Sequence, residues 1–309
     1  MLSEGGTIER KNVRSKTLKA YLKAAADIIV EAGYPDPRFS DTHLAHNTEK
    51  YLPRIRVILD EQRRWETMED KKDPVTPEMI LWLRHQAQLA AFTSILAATA
   101  DWAALGLSAG FRICEYGQRS KSVFKEFMQL RDGSSAKLPR AFIFSDFRFL
   151  DERSCPLHPS QRHRAAYLTI TWRKQKNADN GKEVTFHRAA DQRLCPVRAG
   201  ASIYTRALHL NHRDKILGVS DAGPLRDKQV EKHLQSAARA VYGYSKSEAK
   251  QRFTSHSIRV GACVLLHEAG KTAAFIKERL RWKSDSFMEY LRNTVRLAQQ
   301  HAASLFGFY

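Results

Sequence analysis

Phe253–Tyr290 brings together side chains that can hold an anion and move a proton. It contains His256 and Arg259 three residues apart, an arginine-rich turn ending in Trp282, and Tyr290 eight residues after that tryptophan. A guanidinium stays charged and matches two oxygens of a phosphate at once. An indole N–H donates to an oxygen and cannot shuttle a proton. A phenol is a nucleophile once a nearby base or positive potential offsets its pKa of about 10. Together these groups suit a tyrosine attacking a phosphodiester.

Such a site needs cations from elsewhere in the chain. Arg112 follows a long apolar segment and Gly110, so the core places it, and Glu115 lies one helical turn further on. A second source is the basic, turn-rich loop RKQKNADNGK between YLTITW at 167–172 and VTF at 184–186. This pattern predicts a β-hairpin with lysines at its tip. From it, Arg173, Lys174 and Lys182 are expected to meet DNA phosphates.

GFRICEY at 110–116, the hairpin lysine, HSIR at 256–259, RW at 281–282 and Tyr290 occur in the order found in tyrosine recombinases and integrases. The chain resembles that family. In QKNADNGK, SHSIRVGA and LRWKSDSFMEYLRNT it is most similar to integrases of Crypton-type eukaryotic transposons. The resemblance covers residues 76 to about 295. It implies a mainly α fold with a small β-sheet and hairpin, in a two-domain DNA breaking-rejoining architecture that closes as a C-shaped clamp on DNA.

The catalytic set it implies is Arg112, Lys176, His256, Arg259, Trp282 and Tyr290, with Glu115 orienting Arg112 from behind. Lys176 is favoured as general acid, and Lys174 and Lys182 are alternatives that spacing leaves open. Trp282 stands where many members carry histidine. Trp282 and Tyr290 are eight positions apart, whereas bacterial members usually have nine. On a helix that difference swings a side chain by about 100°. The resemblance further implies no cofactor, no metal, double-stranded DNA as partner, a homo-oligomer (tetramer) on DNA, and nuclear residence.

Bulk composition agrees with a polyanion partner. Lys plus Arg number 51 against 33 Asp plus Glu, a net charge of +18 in 309 residues. Such self-repulsion is offset by nucleic acid or an anionic surface. An apolar fraction of 43% is ample for a core. The four cysteines form no C-x-x-C pair, which argues against a zinc ribbon or a disulfide framework. No apolar run approaches a membrane span, and the amino terminus does not resemble a signal peptide.

Periodicity places helices from Ser15, over about 41–51, over Pro53–Trp65, from Thr76, and as a buried central segment over about 86–107. Further helices are expected over about 196–208, 227–242, 257–268, 272–280 and 284–293. AFIF at 141–144 and FRFL at 147–150 read as short strands. The domain plan is a flexible arm at 1–14, a helical DNA-binding domain at 15–65 and a linker at 66–75. A catalytic domain at 76–294 and a tail at 295–309 for docking onto a neighbouring protomer complete it.

Overall fold

The computed structural model describes residues 13–39, 51–66, 71–129, 134–175, 180–282 and 285–291. The helix expected over 41–51, Lys176, the arm before Val13 and the tail at 295–309 lie outside the described residues, apart from Tyr51. The chain divides into two compact units, Met1–Glu69 and Asp70–Tyr309.

In the first unit, α1 (Ser15–Glu31) packs on α2 (Pro53–Trp65). Leu18 and Leu59 are buried between them, with Leu22 and Ile55 alongside. Ile58, expected on the same face as Leu59, is 52% exposed. Tyr51 lies outside a helix, bridged to Phe39 with the rings stacked at 5.3 Å.

In the second unit, α3 (Pro77–Gln88) begins as Thr76-Pro77 predicts, with proline where no intrahelical N–H is required. The single apolar helix expected over 86–107 is instead two elements. Residues 89–94 form a turn, and α4 (Ile95–Ala109) restarts because the Ser94 hydroxyl accepts from the Ala97 N–H. Such a cap is worth about 1 kcal/mol. The turn leaves Leu89 76% exposed, so its hydrophobicity was misleading.

The α4 helix is the centre of this unit. Its alanines let α3, α6 (Pro196–Leu210), α7 (Asp227–Tyr242) and α9 (Ser257–Glu268) pack closely around it. Trp102 is fully buried at its middle and stacks on Tyr116 at 5.0 Å. Asp101, also buried, is held by Arg84 and Arg206. A buried carboxylate requires such pairing.

Among the described residues, three small antiparallel sheets flank the helices. The hairpin of β1 (Lys125–Gln129) and β2 (Ser135–Pro139) was not anticipated. AFIF does not form a strand: Ile143 makes one isolated bridge and Phe144–Asp146 is a 3-10 turn, whereas FRFL is β3 (Phe147–Leu150). The expected hairpin is β4 (Tyr167–Trp172) and β5 (Lys182–His187), with Trp172 opposite Lys182. A third pair joins β6 (Val219–Ser220) to β7 (Gly223–Pro224).

The helices α5 (Ile113–Tyr116), α8 (Lys246–Arg252) and α10 (Ala273–Arg279) complete the helical part. Residues 71–75, read as the end of a linker, are pinned to this unit. Asp73 N–H donates to Arg252 O at 2.9 Å, Val75 N–H donates to Ser257 O at 3.0 Å, and Val75 is buried.

Candidate active site

The site forms where the end of α4, the start of α9 and the turn after α10 converge. Gly110 ends α4 in the left-handed region, φ 58°, which a glycine adopts without a Cβ penalty. That turn aims the Gly110 carbonyl at Arg259 and places Arg112 as the cap of α5. Arg259 lies one turn into α9 and is 2% exposed. Its Nη1 donates to Gly110 O and its Nη2 to Leu280 O at 2.8 Å, so two backbone turns fix the guanidinium.

Glu115 organises the cations from beneath. It is 5% exposed. It accepts from the Arg112 backbone N–H at 3.0 Å and from Arg112 Nη1 at 3.4 Å. It also accepts from Arg281 Nη2 at 3.3 Å. Arg281 was not singled out in the sequence beyond the RW pair. It is buried, its Nη1 donates to Ala109 O at 2.9 Å, and it lies 3.7 Å over the Trp172 ring. Its φ of 59° is unusual for a side-chain-bearing residue. That strained turn could have been suspected only from its position before Trp282.

Burial lowers the pKa of Arg259 to about 9, helped by the positive charges of Arg112 and Arg281 and opposed by Glu115 and Tyr290. Burial likewise lowers Arg281 to about 10, with Glu115 pulling it back up. Both remain charged near neutrality. The structure thus pairs Arg112 and Arg281 with one carboxylate and sets Arg259 nearby on two backbone carbonyls, a strongly positive locus suited to an oxyanion.

The remaining groups stand on the open side. Trp282 lies over the Arg259 guanidinium, 4.2 Å from its ring centre. Its indole nitrogen is buried with no hydrogen-bond partner among the described residues. Tyr290 ends a 3-10 segment, Asp285–Tyr290, whose Phe287 is fully buried against α9 and α10. The Tyr290 ring lies 5.4 Å from Trp282 and 5.3 Å from His256. A 3-10 turn advances about 120° per residue rather than 100°. Asp285–Tyr290 is 3-10 where an α-helix is expected over about 284–293.

His256 caps α9 with part of its ring open to solvent. Partial desolvation, then the charges of Arg259 and Arg112, lower its pKa below the usual imidazole value. It is therefore neutral at pH 7 and able to accept a proton.

The β4–β5 hairpin is docked beside this cluster at its base. Lys182 Nζ donates to Glu278 O at 3.3 Å. Arg279 donates to Thr185 O at 2.9 Å and lies 4.4 Å over the Phe186 ring. Lys174 instead pairs with Glu126 at 3.6 Å.

Arg173, expected at DNA, is turned into the protein. It pairs with Asp146 at 2.6 Å and donates to the carbonyls of Pro139 and Ala141. Its guanidinium is used in holding β2 to the sheet, because the buried Asp146 carboxylate needs a cation.

No protein-family model and no curated protein matches the chain. Among solved structures it is similar to the XerA recombinase, with 12% identity, a TM-score of 0.46, and coverage of 96% of this chain and 84% of that one. It is similar to the Tn1549 transposon integrase in complex with transposon right-end DNA, at 11% identity and TM-score 0.48, covering 95% and 80%. A lambda integrase dimer bound to a COC′ core site gives 14% identity and TM-score 0.43, covering 92% and 81%. At that level the likeness says nothing about chemistry, which is read from the side chains themselves.

Proposed function

We propose that this chain is a DNA strand transferase of the tyrosine recombinase type, acting on double-stranded DNA through a 3′-phosphotyrosyl intermediate. The observation that carries the reading is the packing of Tyr290 against both His256 and Trp282, with Trp282 in turn lying over the buried Arg259. A surface phenol with no such surroundings would have no means to attack a phosphate.

In this reading Arg112 and Arg259 hold the non-bridging oxygens of the scissile phosphate, and the Trp282 N–H donates to one of them. The Tyr290 oxygen attacks phosphorus while its proton passes to neutral His256. The bond from phosphorus to the 5′ oxygen breaks, and that oxygen takes a proton from a hairpin lysine, Lys176 by the resemblance. Attack by a different 5′ hydroxyl reverses the steps and rejoins DNA. In this reading the tyrosine acts in cis, supported by Phe287, which packs its segment against α9 and α10. Exchange between two DNA sites calls for several subunits on DNA. The Crypton-like motifs favour a role in transposon integration or excision.

The test is a nicked suicide substrate carrying the element's terminal DNA. Wild type forms a covalent protein–DNA adduct and Tyr290→Phe forms none. An adduct that persists in Tyr290→Phe removes the nucleophile. Tight DNA binding by wild type with no adduct on any cognate substrate makes the chain a DNA-binding protein without strand-transfer activity.

A further inference from the structure

A second cluster of cations lies away from this site, around a cavity of about 430 Å³. It is bounded by the 3-10 segment Pro159–Arg164, by the chain after β5 and by α6. Lys182, at one end of β5, reaches α10, whereas Arg188 lies just past the other end. Six residues of strand separate them by roughly 20 Å. The cavity is therefore not part of the arginine cluster around Glu115.

Arg162, Arg188 and Arg198 line it together with Ser202 and Thr205, and no carboxylate is among its described lining residues. Asp191 and Asp101, on the chain after β5 and on α4, are committed elsewhere. Asp191 pairs with Arg193 at 2.9 Å, and Asp101 pairs with Arg84 and Arg206. Two of the three guanidiniums are held in place rather than trailing in solvent. Arg162 Nε donates to Thr205 Oγ1 at 2.8 Å and its Nη1 to Pro159 O, while its plane lies 5.6 Å from the Tyr204 ring centre. Arg188 Nη2 donates to His163 O at 2.8 Å. Arg188 Nε is buried with no hydrogen-bond partner among the described residues. A buried charged donor left in that state is costly unless a ligand completes it.

We propose that this cavity binds a phosphoryl oxyanion. Fixed guanidinium forks match phosphate oxygens in pairs, and hydroxyls such as Ser202 supply the remaining donors. A neutral or cationic ligand would leave three positive charges uncompensated. The volume is in the range of small-molecule pockets, about 300–1,000 Å³. The same group is presented by a phosphorylated small molecule or by a DNA backbone phosphate, and the two sources are separable.

The experiment uses the full chain, inorganic pyrophosphate as probe and sodium chloride to hold ionic strength constant. Calorimetric titration of wild type gives saturable binding. Arg188→Gln weakens it about tenfold or more, the loss expected for a charge-assisted hydrogen bond. Ser202→Asp keeps the Arg188 bond to His163, places a carboxylate in the cavity and abolishes binding, so a folding defect in Arg188→Gln does not shield the proposal. The salt dependence of duplex binding identifies the source. A log–log slope that falls by about 0.9 in Arg188→Gln assigns the cavity to a backbone phosphate. An unchanged slope with lost pyrophosphate binding assigns it to a small molecule. Equal pyrophosphate affinity in all three proteins with an unchanged slope overturns the proposal.

Discussion

Replacing Arg281 by glycine sets two effects of known sign against each other. The backbone there has φ 59°. A left-handed conformation costs a side-chain-bearing residue about 1–2 kcal/mol, which glycine would recover. Against this stands a side chain with 0% exposure, paired with Glu115 at 3.3 Å, bonded to Ala109 O at 2.9 Å and 3.7 Å over Trp172. Removing one member of a buried pair costs about 3–5 kcal/mol. The pairing outweighs the strain, and Arg281→Gly should be less stable by about 1–4 kcal/mol. Urea unfolding followed by tryptophan fluorescence reads this, using the transition of the larger unit, since two units need not unfold together. Arg281→Ala keeps the strain as well and should fall about 1 kcal/mol lower still. A cycle with Glu115→Gln should show a coupling of about 0.5–3 kcal/mol. A glycine variant as stable as wild type, or a coupling of zero, refutes the assignment of Arg281 to holding Glu115 beneath Arg112.

Three further outcomes follow from the same geometry. Arg259→Lys should bind DNA but cleave about 10²–10³-fold more slowly in single-turnover assays, because an ammonium lacks the fork that spans Gly110 O, Leu280 O and a phosphate. Normal cleavage would remove Arg259 from the site. Gly110→Ala should cost about 1–2 kcal/mol in the same urea experiment, since φ is 58° and a Cβ would meet Leu280 Cδ2 at 2.8 Å. An unchanged midpoint would count against the turn as the device that aims Arg259. His256 has a folded pKa below the unfolded value of about 6.5, so between the two the unfolded chain binds more protons. Its contribution to stability is present above that window and is lost as pH falls through it. His256→Gln should flatten the stability profile below about pH 6.5, and identical profiles for the two proteins would refute the burial and charge effect on His256.

Residue type and order carried the candidate cluster. Arg112, Glu115, His256, Arg259, Trp282 and Tyr290 were named as a set because their types and order resemble the site of tyrosine recombinases. Arg112 follows a glycine that ends an apolar helix, so its placement by the core was legible, whereas the burial of Arg259 within α9 is seen only in the structure. The hairpin was legible for a similar reason, as β-branched alternation is interrupted by turn residues.

Tertiary structure decided what local pattern does not encode. The apolar stretch from Gln86 to Leu107 looks continuous, yet the Ser94 cap divides it. Arg173 and Lys182 are both basic residues flanking one hairpin. Only packing shows that Arg173 neutralises buried Asp146 while Lys182 reaches Glu278 O. Arg281 reads as one more surface cation until the chain brings it to Glu115, whose partners lie both three and 166 residues away. The reason is physical. Periodicity reports which face of an element is apolar, but a charge is fixed by whichever opposite charge or carbonyl is buried against it. That partner is set by the fold, across distances in sequence that no local pattern spans.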